Sequence, residues 1–368
     1  MDSIVYVVGA RPNFVKMAPV EHALRRRLPG WRHVCVDTGQ HYDREMSAVF
    51  YSELGIPRPQ YRLYVGSGSH AVQTARVLER IEGVLIRERP SLVLVPGDVN
   101  STLGAALAAV KLGIPLGHVE AGLRSFDRSM PEEINRLLVD QIADQCYVHS
   151  ADAVENLRRE GVAEERIVFT GNTMIDTLVR LRPRIERSDV HRRLGVESSG
   201  YLLVTLHRPA LVDGPLLAEV RAALEELSRE LPVIFPLHPR TRARIGAVRA
   251  PSLHLIDPLG YLDFLALESR ARAVLTDSGG VQEETTFLGV PCFTLRDTTE
   301  RPVTVTEGTN RLLGVRPQAV LELPQLIDSA PRPLKPPTGW DGEAAARLAD
   351  SVVEAFGIER AAVGAARG

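Results

Sequence analysis

With 368 residues, 44% of them hydrophobic and 24% charged, the chain is long enough for about two ordinary domains with buried cores. A formal charge of −2 over that length gives no cationic field for a phosphate backbone, so nucleic acid is not an expected partner and any bound anion must be held locally. The three cysteines, Cys35, Cys146 and Cys292, have neither disulfide nor zinc spacing, and no leader pattern or membrane-length apolar run is present, so a reducing cytoplasm is expected and a membrane is not.

In chain order, the apolar runs "IVYVVG", "HVCVDTG", "SLVLVPGD", "PLGHVEA" and "RIVFTG" alternate with amphipathic stretches such as "VQTARVLERIEGVLIRE". Such alternation signals a doubly wound parallel sheet. The same grammar restarts after residue 200 with "YLLVTLH", "PVIFPLH", "LHLIDP", "AVLTDSG" and "PCFTL". Between the two halves, the charged segment 182–200 reads as connecting structure. The expected architecture is therefore α/β, with two Rossmann-like domains at 1–170 and 171–340 whose parallel sheets face each other across a cleft. A last helical pattern at about 341–357 is expected to pack back on the first domain.

Polar residues gather at the carboxyl ends of the predicted strands, where such sheets bind ligands. Arg11 and Lys16 in "GARPNFVK" oppose the macrodipole of the helix they open, which favours an anion clamp over a solvated pair. Lysine is also scarce, being confined to Lys16, Lys111 and Lys335. Asp98 in "PGDVNST", beside Asn100 and Ser101, reads by itself as an ordinary helix cap before it reads as chemistry. His207 and His238 end two strands of the second half in matching places. In "TDSGGVQEE", Ser278, Gly279 and Gly280 open a helix, a geometry that serves a phosphate or simply a tight turn. "GSGSHA" at 66–71 lacks the glycines of a dinucleotide site and reads as a flexible loop. In "HVEAGLRSFDRSMPEEINR", Glu120 follows a strand directly, whereas Glu132 and Glu133 fit an ordinary proline-started helix; the loop between is a candidate mobile element.

The order of "GARPNFVK", "TGQH", "PGDVNST", "HVEAGLRS", "PEEINR", "GNTMIDT", "TLHRP", "LHPRT", "DPLGYLDF", "TDSGGVQEE" and "RDTTERPVTVTEGTNRLLG" resembles the UDP-N-acetylglucosamine 2-epimerases over about residues 4 to 315. The resemblance implies a GT-B fold and interconversion of UDP-GlcNAc and UDP-ManNAc. UDP is eliminated across C1–C2 to give 2-acetamidoglucal and is then added back, with the proton delivered to the opposite face. It also implies UDP-GlcNAc, UDP-ManNAc and UDP as ligands, a homodimer, and neither a cofactor nor a metal.

By the same resemblance, Asp98, Glu120 and Glu132 are the active-site carboxylates and His207 a further site residue. Arg11 and Lys16 lie near the diphosphate, Ser278, Gly279 and Gly280 cradle it, and Glu284 binds the ribose. Phe264 lies by the uracil, Arg301 is a further nucleotide contact, and Arg136 positions the carboxylates. Gln40, His41, Arg76, Arg208 and His238 correspond to a site where a second UDP-GlcNAc acts as an activator in non-hydrolysing bacterial members. Which acid removes the C2 proton stays open.

The sequence departs from the family in two places. Pro209, Ala210 and Leu211 follow His207-Arg208 where many bacterial members read H-R-x-E-N, and "GQHYDREM" is longer than the common "GQHREM". Alternative readings are a hydrolysing epimerase releasing ManNAc and UDP, a 2-epimerase of a related UDP-acetamido sugar, a GT-B glycosyltransferase and a nucleotide-sugar sensor.

Overall fold

Strands buried on both faces need near-continuous apolar runs, and the first run forms one: β1 (Ser3–Val8) is buried at every position. In a computed structural model describing residues 2–40, 51–331 and 333–356, the chain forms two compact units. Unit 1 comprises residues 1–180 and 338–368, and unit 2 comprises residues 181–337.

In unit 1, β1 is joined by β2 (Arg32–Asp37), β3 (Tyr61–Arg62), β4 (Leu92–Pro96), β5 (Leu116–Val119), β6 (Gln145–Val148) and β7 (Ile167–Phe169). They form one parallel sheet in the order β3-β2-β1-β4-β5-β6-β7. The helices that carry or support its site are α1 (Arg11–Arg27), α2 (His70–Glu88), α3 (Asn100–Lys111), α4 (Pro131–Ile142), α5 (Ala151–Arg159) and α6 (Thr173–Glu186). Unit 2 holds β8 (Leu202–Thr205), β9 (Val233–Pro236), β10 (Leu253–Ile256), β11 (Ala273–Thr276), β12 (Cys292–Thr294) and β13 (Asn310–Leu312). These are parallel too, in the order β10-β9-β8-β11-β12-β13.

Counted from its own first strand, each sheet runs outward one way, then reverses beside that strand. The reversal lies between β1 and β4 in unit 1 and between β8 and β11 in unit 2. Connections leave it toward opposite faces, which opens a crevice at the carboxyl ends of those strands. Each sheet has its own core, with Val5, Val93 and Val148 central in the first and Leu202, Phe235 and Leu275 in the second.

Two segments differ from the sequence expectation. The charged stretch 182–200 is partly helical: α6 runs through Pro183 to Glu186, where Arg182 and Glu186 pair one turn apart. The 66–71 segment is tied down, since Gln73 donates to the Gly66 carbonyl at 2.9 Å, Arg76 donates to that of Ser67 at 3.2 Å, and Ser69 caps α2.

The division between units falls within α6, at 180/181. The final helix, Ala344–Ala355, packs on α1 within unit 1. Both Asp176 carboxylate oxygens accept its first free N–H groups, from Ala344 at 3.1 Å and Ala345 at 2.7 Å.

Candidate active site

In unit 1 the crevice at the sheet reversal is built from the turns after β1, β4 and β5. Arg11 opens α1 directly after β1 and is half-buried. Lys16 lies in the second turn of α1, not the first. Its buried ammonium pairs with the Glu120 carboxylate, and the two side chains are only 8% and 7% exposed. A buried lysine and carboxylate must be matched in this way, because either charge alone would be strongly disfavoured.

Glu120 itself has φ +69, a left-handed conformation that is rare outside glycine. Its N–H and that of Ala121 both donate to the Tyr147 carbonyl, at 3.0 and 3.1 Å, which turns the chain sharply at the end of β5. Such a backbone conformation costs roughly 1–3 kcal/mol and persists where the surroundings overdetermine it, commonly at functional sites. Gly97, φ +63, ends β4 opposite; a Cβ there would lie 3.2 Å from Glu120 Oε2 and 3.3 Å from Lys16 Nζ. Glycine thus leaves room for the pair. A cavity of about 10 Å³, roughly one water, borders it and is lined by Lys16, Glu120, His149, Thr170, Asn172 and Thr173.

Asp98 is held at both ends. Arg136 ion-pairs with its carboxylate, and Asn135 donates to its carbonyl at 2.8 Å. Arg136 also reaches Glu133 at 2.5 Å. The two acids that open α4 are thereby separated. Glu133, 1% exposed, accepts from Ser125 N, Ser125 Oγ and Phe126 N, each at 2.9 Å, and so fastens the preceding loop. Glu132 is half-buried and its carboxylate has no ion-pair partner among the described residues.

The loop 121–130 is consequently not mobile along its whole length. Ala121, Leu123, Arg124 and Ser125 are buried, and Arg124 binds Asp140 at 2.7 Å and Glu160 at 2.5 Å. Only the part beyond Ser125 reaches solvent, with Phe126 75% exposed.

Unit 2 fills its crevice differently. His207, following β8, has an exposed side chain whose Nδ1 lies 3.1 Å from Asp277 Oδ1. Asp277 Oδ2 accepts from the His207 and Arg208 N–H groups at 2.9 and 2.7 Å. Burial works to raise the Asp277 carboxyl, but His207 and these N–H groups outweigh it and hold the group below the ordinary carboxylate range. Asp277 therefore orients His207. The His238 ring lies 6.4 Å from the His207 ring, centroid to centroid.

Helix α7 (Tyr261–Glu268) carries Phe264, half-buried, in its first turn. Helix α8 (Gly279–Leu288) follows Ser278, with Gly279 and Gly280 as its first residues. A Cβ on Gly279 would lie 2.4 Å from Arg301 Nη1 and 2.8 Å from Glu300 Oε1. The glycine is thus required by the approach of Arg301. That buried guanidinium is fixed between Glu283 at 3.1 Å and Glu300 at 2.5 Å, while Glu300 also binds Arg296 at 2.6 Å and lies 3.6 Å from Arg208. Glu284 accepts from the Tyr261 hydroxyl at 2.7 Å. Burial, partly offset by that hydrogen bond and reinforced by Glu283, pushes the Glu284 carboxyl up to about 8.

The remaining expected residues have local partners. Gln40 Oε1 accepts from Ser101 N at 3.2 Å and Ser101 Oγ at 2.7 Å, and Arg76 holds the 65–67 segment. His41 lies outside the described residues. Sequence reasoning missed His118, Glu133, Asp140 and Asp277, all buried and all bonded to the turns of the two crevices. One signal was available for two of them. Glu133, Arg136 and Asp140 recur at helical spacing on α4 and form a charged stripe on a buried face.

The chain has clear relatives among known proteins. The chain matches the family model described as UDP-N-acetylglucosamine 2-epimerase over residues 23–353. It is 44% identical over 330 residues to a UDP-N-acetylglucosamine 2-epimerase homolog of Methanococcus maripaludis, covering 87% of this chain and 90% of the relative. It is 43% identical over 325 residues to the UDP-2,3-diacetamido-2,3-dideoxy-D-glucuronate 2-epimerase of Pseudomonas aeruginosa, with the same coverage of 87% and 90%. Among solved structures, the Methanocaldococcus jannaschii UDP-GlcNAc 2-epimerase in complex with UDP-GlcNAc and UDP superposes with a TM-score of 0.89. That match has 38% identity and covers 96% of this chain and 99% of that one. With its two doubly wound parallel sheets and carboxylate-bearing strand ends, the chain belongs to the UDP-N-acetylglucosamine 2-epimerase family.

Proposed function

We propose that the protein interconverts UDP-GlcNAc and UDP-ManNAc without hydrolysis. One unit 1 carboxylate removes the C2 proton as the C1–O bond to UDP breaks; the resulting 2-acetamidoglucal then takes UDP back at C1 and a proton on the opposite face of C2. Asp98, Glu120 and Glu132 supply the proton-transfer groups, and Arg136 and Lys16 pair with Asp98 and Glu120 and hold them in place. Arg11, Ser278, Gly279, Gly280, Phe264, Glu284 and Arg301 hold the nucleotide, and His207, oriented by Asp277, meets the developing charge.

The observation carrying this reading is the pairing at the unit 1 reversal, where two strand-end acids are each matched to a cation, one on a left-handed backbone. The test is incubation with UDP-GlcNAc in deuterated water, followed by NMR. Deuterium at C2 of both UDP-GlcNAc and UDP-ManNAc is expected. Free deuterated ManNAc would assign the hydrolysing reaction instead, and no C2 exchange would remove epimerisation.

A second substrate is favoured by one finding: the P. aeruginosa relative, 43% identical, is named for a diacetamido uronate. Comparing kcat/KM for that UDP-sugar with UDP-GlcNAc decides between them. Gln40, His41, Arg76, Arg208 and His238 form the proposed effector site. Added UDP-GlcNAc should then accelerate turnover of UDP-ManNAc, and absence of acceleration removes the site.

The family resemblance suggests a homodimer. Analytical ultracentrifugation tests it, and a monomer at micromolar concentration would contradict it. Three buried, unpaired cysteines fit a cytoplasmic site of action, and none of the described helices is long and apolar enough to cross a membrane.

A further inference from the structure

Beneath the two turns that carry Asp98 and Glu120 lies a closed set of buried groups with no access to substrate. His118, on β5, and Asp140, on α4, are both 0% exposed, and Arg124 is 2% exposed. His118 Nε2 lies 2.7 Å from the Gly97 carbonyl oxygen, in the residue before Asp98. His118 Nδ1 lies 2.6 Å from Asp140 Oδ1. The other Asp140 oxygen accepts from Gly122 N at 3.1 Å, two residues after Glu120, and from Arg124 at 2.7 Å.

We infer that His118 and Asp140 are positioning residues that lock the Asp98 turn to the Glu120 turn and so set the spacing of the two carboxylates. This rests on the proposed roles of Asp98 and Glu120. Three features of the geometry support it. Glu120 has φ +69, a left-handed state that a residue with a side chain holds only with outside support, while Gly97 and Gly122, at +63 and +80, let the chain turn sharply on either side of it. The bonds from this pair go to main-chain groups of those turns, at Gly97 O and Gly122 N, and so act on backbone position. A carbonyl oxygen only accepts, so His118 Nε2 donates to Gly97 O while Nδ1 faces Asp140, which fixes the ring between the two turns. Burial works to raise the Asp140 carboxyl, yet His118 and Arg124 hold it below the ordinary range, so it stays an acceptor for Gly122 N and Arg124.

Proton transfer is steep in distance, and a displacement near 1 Å costs about 100-fold in rate. Loss of the lock should therefore lower kcat and leave substrate affinity nearly unchanged. The experiment compares His118→Phe and Asp140→Asn with Asp98→Asn and Glu120→Gln, measuring C2 deuterium exchange, KM for UDP-GlcNAc and UDP affinity. His118→Phe is expected to reduce kcat about 100-fold with KM within about threefold. Asp140→Asn keeps the side-chain shape and should fall between His118→Phe and the wild type.

A folded His118→Phe with wild-type kcat, alongside inactive Asp98→Asn and Glu120→Gln, overturns this inference alone. Wild-type exchange in Asp98→Asn and Glu120→Gln overturns the carboxylate assignment instead. For the case in which His118→Phe does not fold, Asp140→Asn decides: a lowered kcat with KM within about threefold is expected, and a folded Asp140→Asn with wild-type kcat overturns the lock.

Discussion

Unit 1 and unit 2 reverse their strand order at the same point, yet the first fills its crevice with acids matched to cations, while the second presents an exposed histidine and a glycine-opened helix. In unit 1 the paired groups are side chains from different strand ends, Glu120 with Lys16 and Asp98 with Arg136. In unit 2 the charges mostly satisfy one another around Arg301, and what is offered outward is main chain and an imidazole. Topology fixes where a ligand can approach, and the residues on the loops decide whether that place moves protons or holds phosphate.

The comparison is broken most directly at the unit 1 acids. Asp98→Asn and Glu120→Gln should each lower the rate of C2 exchange about 1,000-fold, within the range for a lost acid or base group. UDP affinity should stay within about threefold. Lys16 sharpens the boundary between the units, because the sequence assigns it to the diphosphate while its ammonium pairs with Glu120. If it serves Glu120, Lys16→Met should lower the rate of C2 exchange and spare UDP affinity, because a buried carboxylate would be left without its partner. Loss of UDP binding with C2 exchange intact at saturation would return Lys16 to the nucleotide.

On the unit 2 side, Gly279→Ala should displace the pinned Arg301 guanidinium and weaken UDP binding about tenfold, as isothermal calorimetry would show. The smallest expected effect concerns stability. Glu284 is pushed up to about 8 from an ordinary 4.5, and burial beside Glu284 raises Glu268 as well. A carboxyl whose folded value exceeds its unfolded one contributes stability fully below the unfolded value and loses it as pH rises toward the folded one. Unit 2 should therefore weaken between pH 4.5 and about 8. Glu268 has two buried oxygens with no hydrogen-bond partner among the described residues. Glu268→Met should raise Tm by about 2–4 °C at pH 8.5 and by less at pH 5. An equal gain at both values would contradict the titration.

The parallel sheets were legible because a strand buried on both faces must be apolar throughout, as at residues 3–8 and 92–96. The strand-end placement of Asp98, Glu120 and His207 was legible because each closely follows such a run. The left-handed turn at Glu120 has no sequence signature, since it is imposed by two N–H groups sharing the Tyr147 carbonyl. Glu132 and Glu133 look alike as helix-opening acids, and only the fold shows that Glu133 is spent on the loop at Ser125. His118 and Asp140 are 22 residues apart and meet only once α4 packs against β5. The same is true of Arg124, which turns an apparently mobile loop into a fixed one.

The division of labour between the units is tested most directly by one paired measurement: C2 deuterium exchange at saturating UDP-GlcNAc together with UDP binding, in Glu120→Gln and in Gly279→Ala. The account predicts that Glu120→Gln loses exchange and keeps UDP binding, while Gly279→Ala loses UDP affinity and keeps exchange once saturated. Parallel loss of both properties in both folded variants would contradict it.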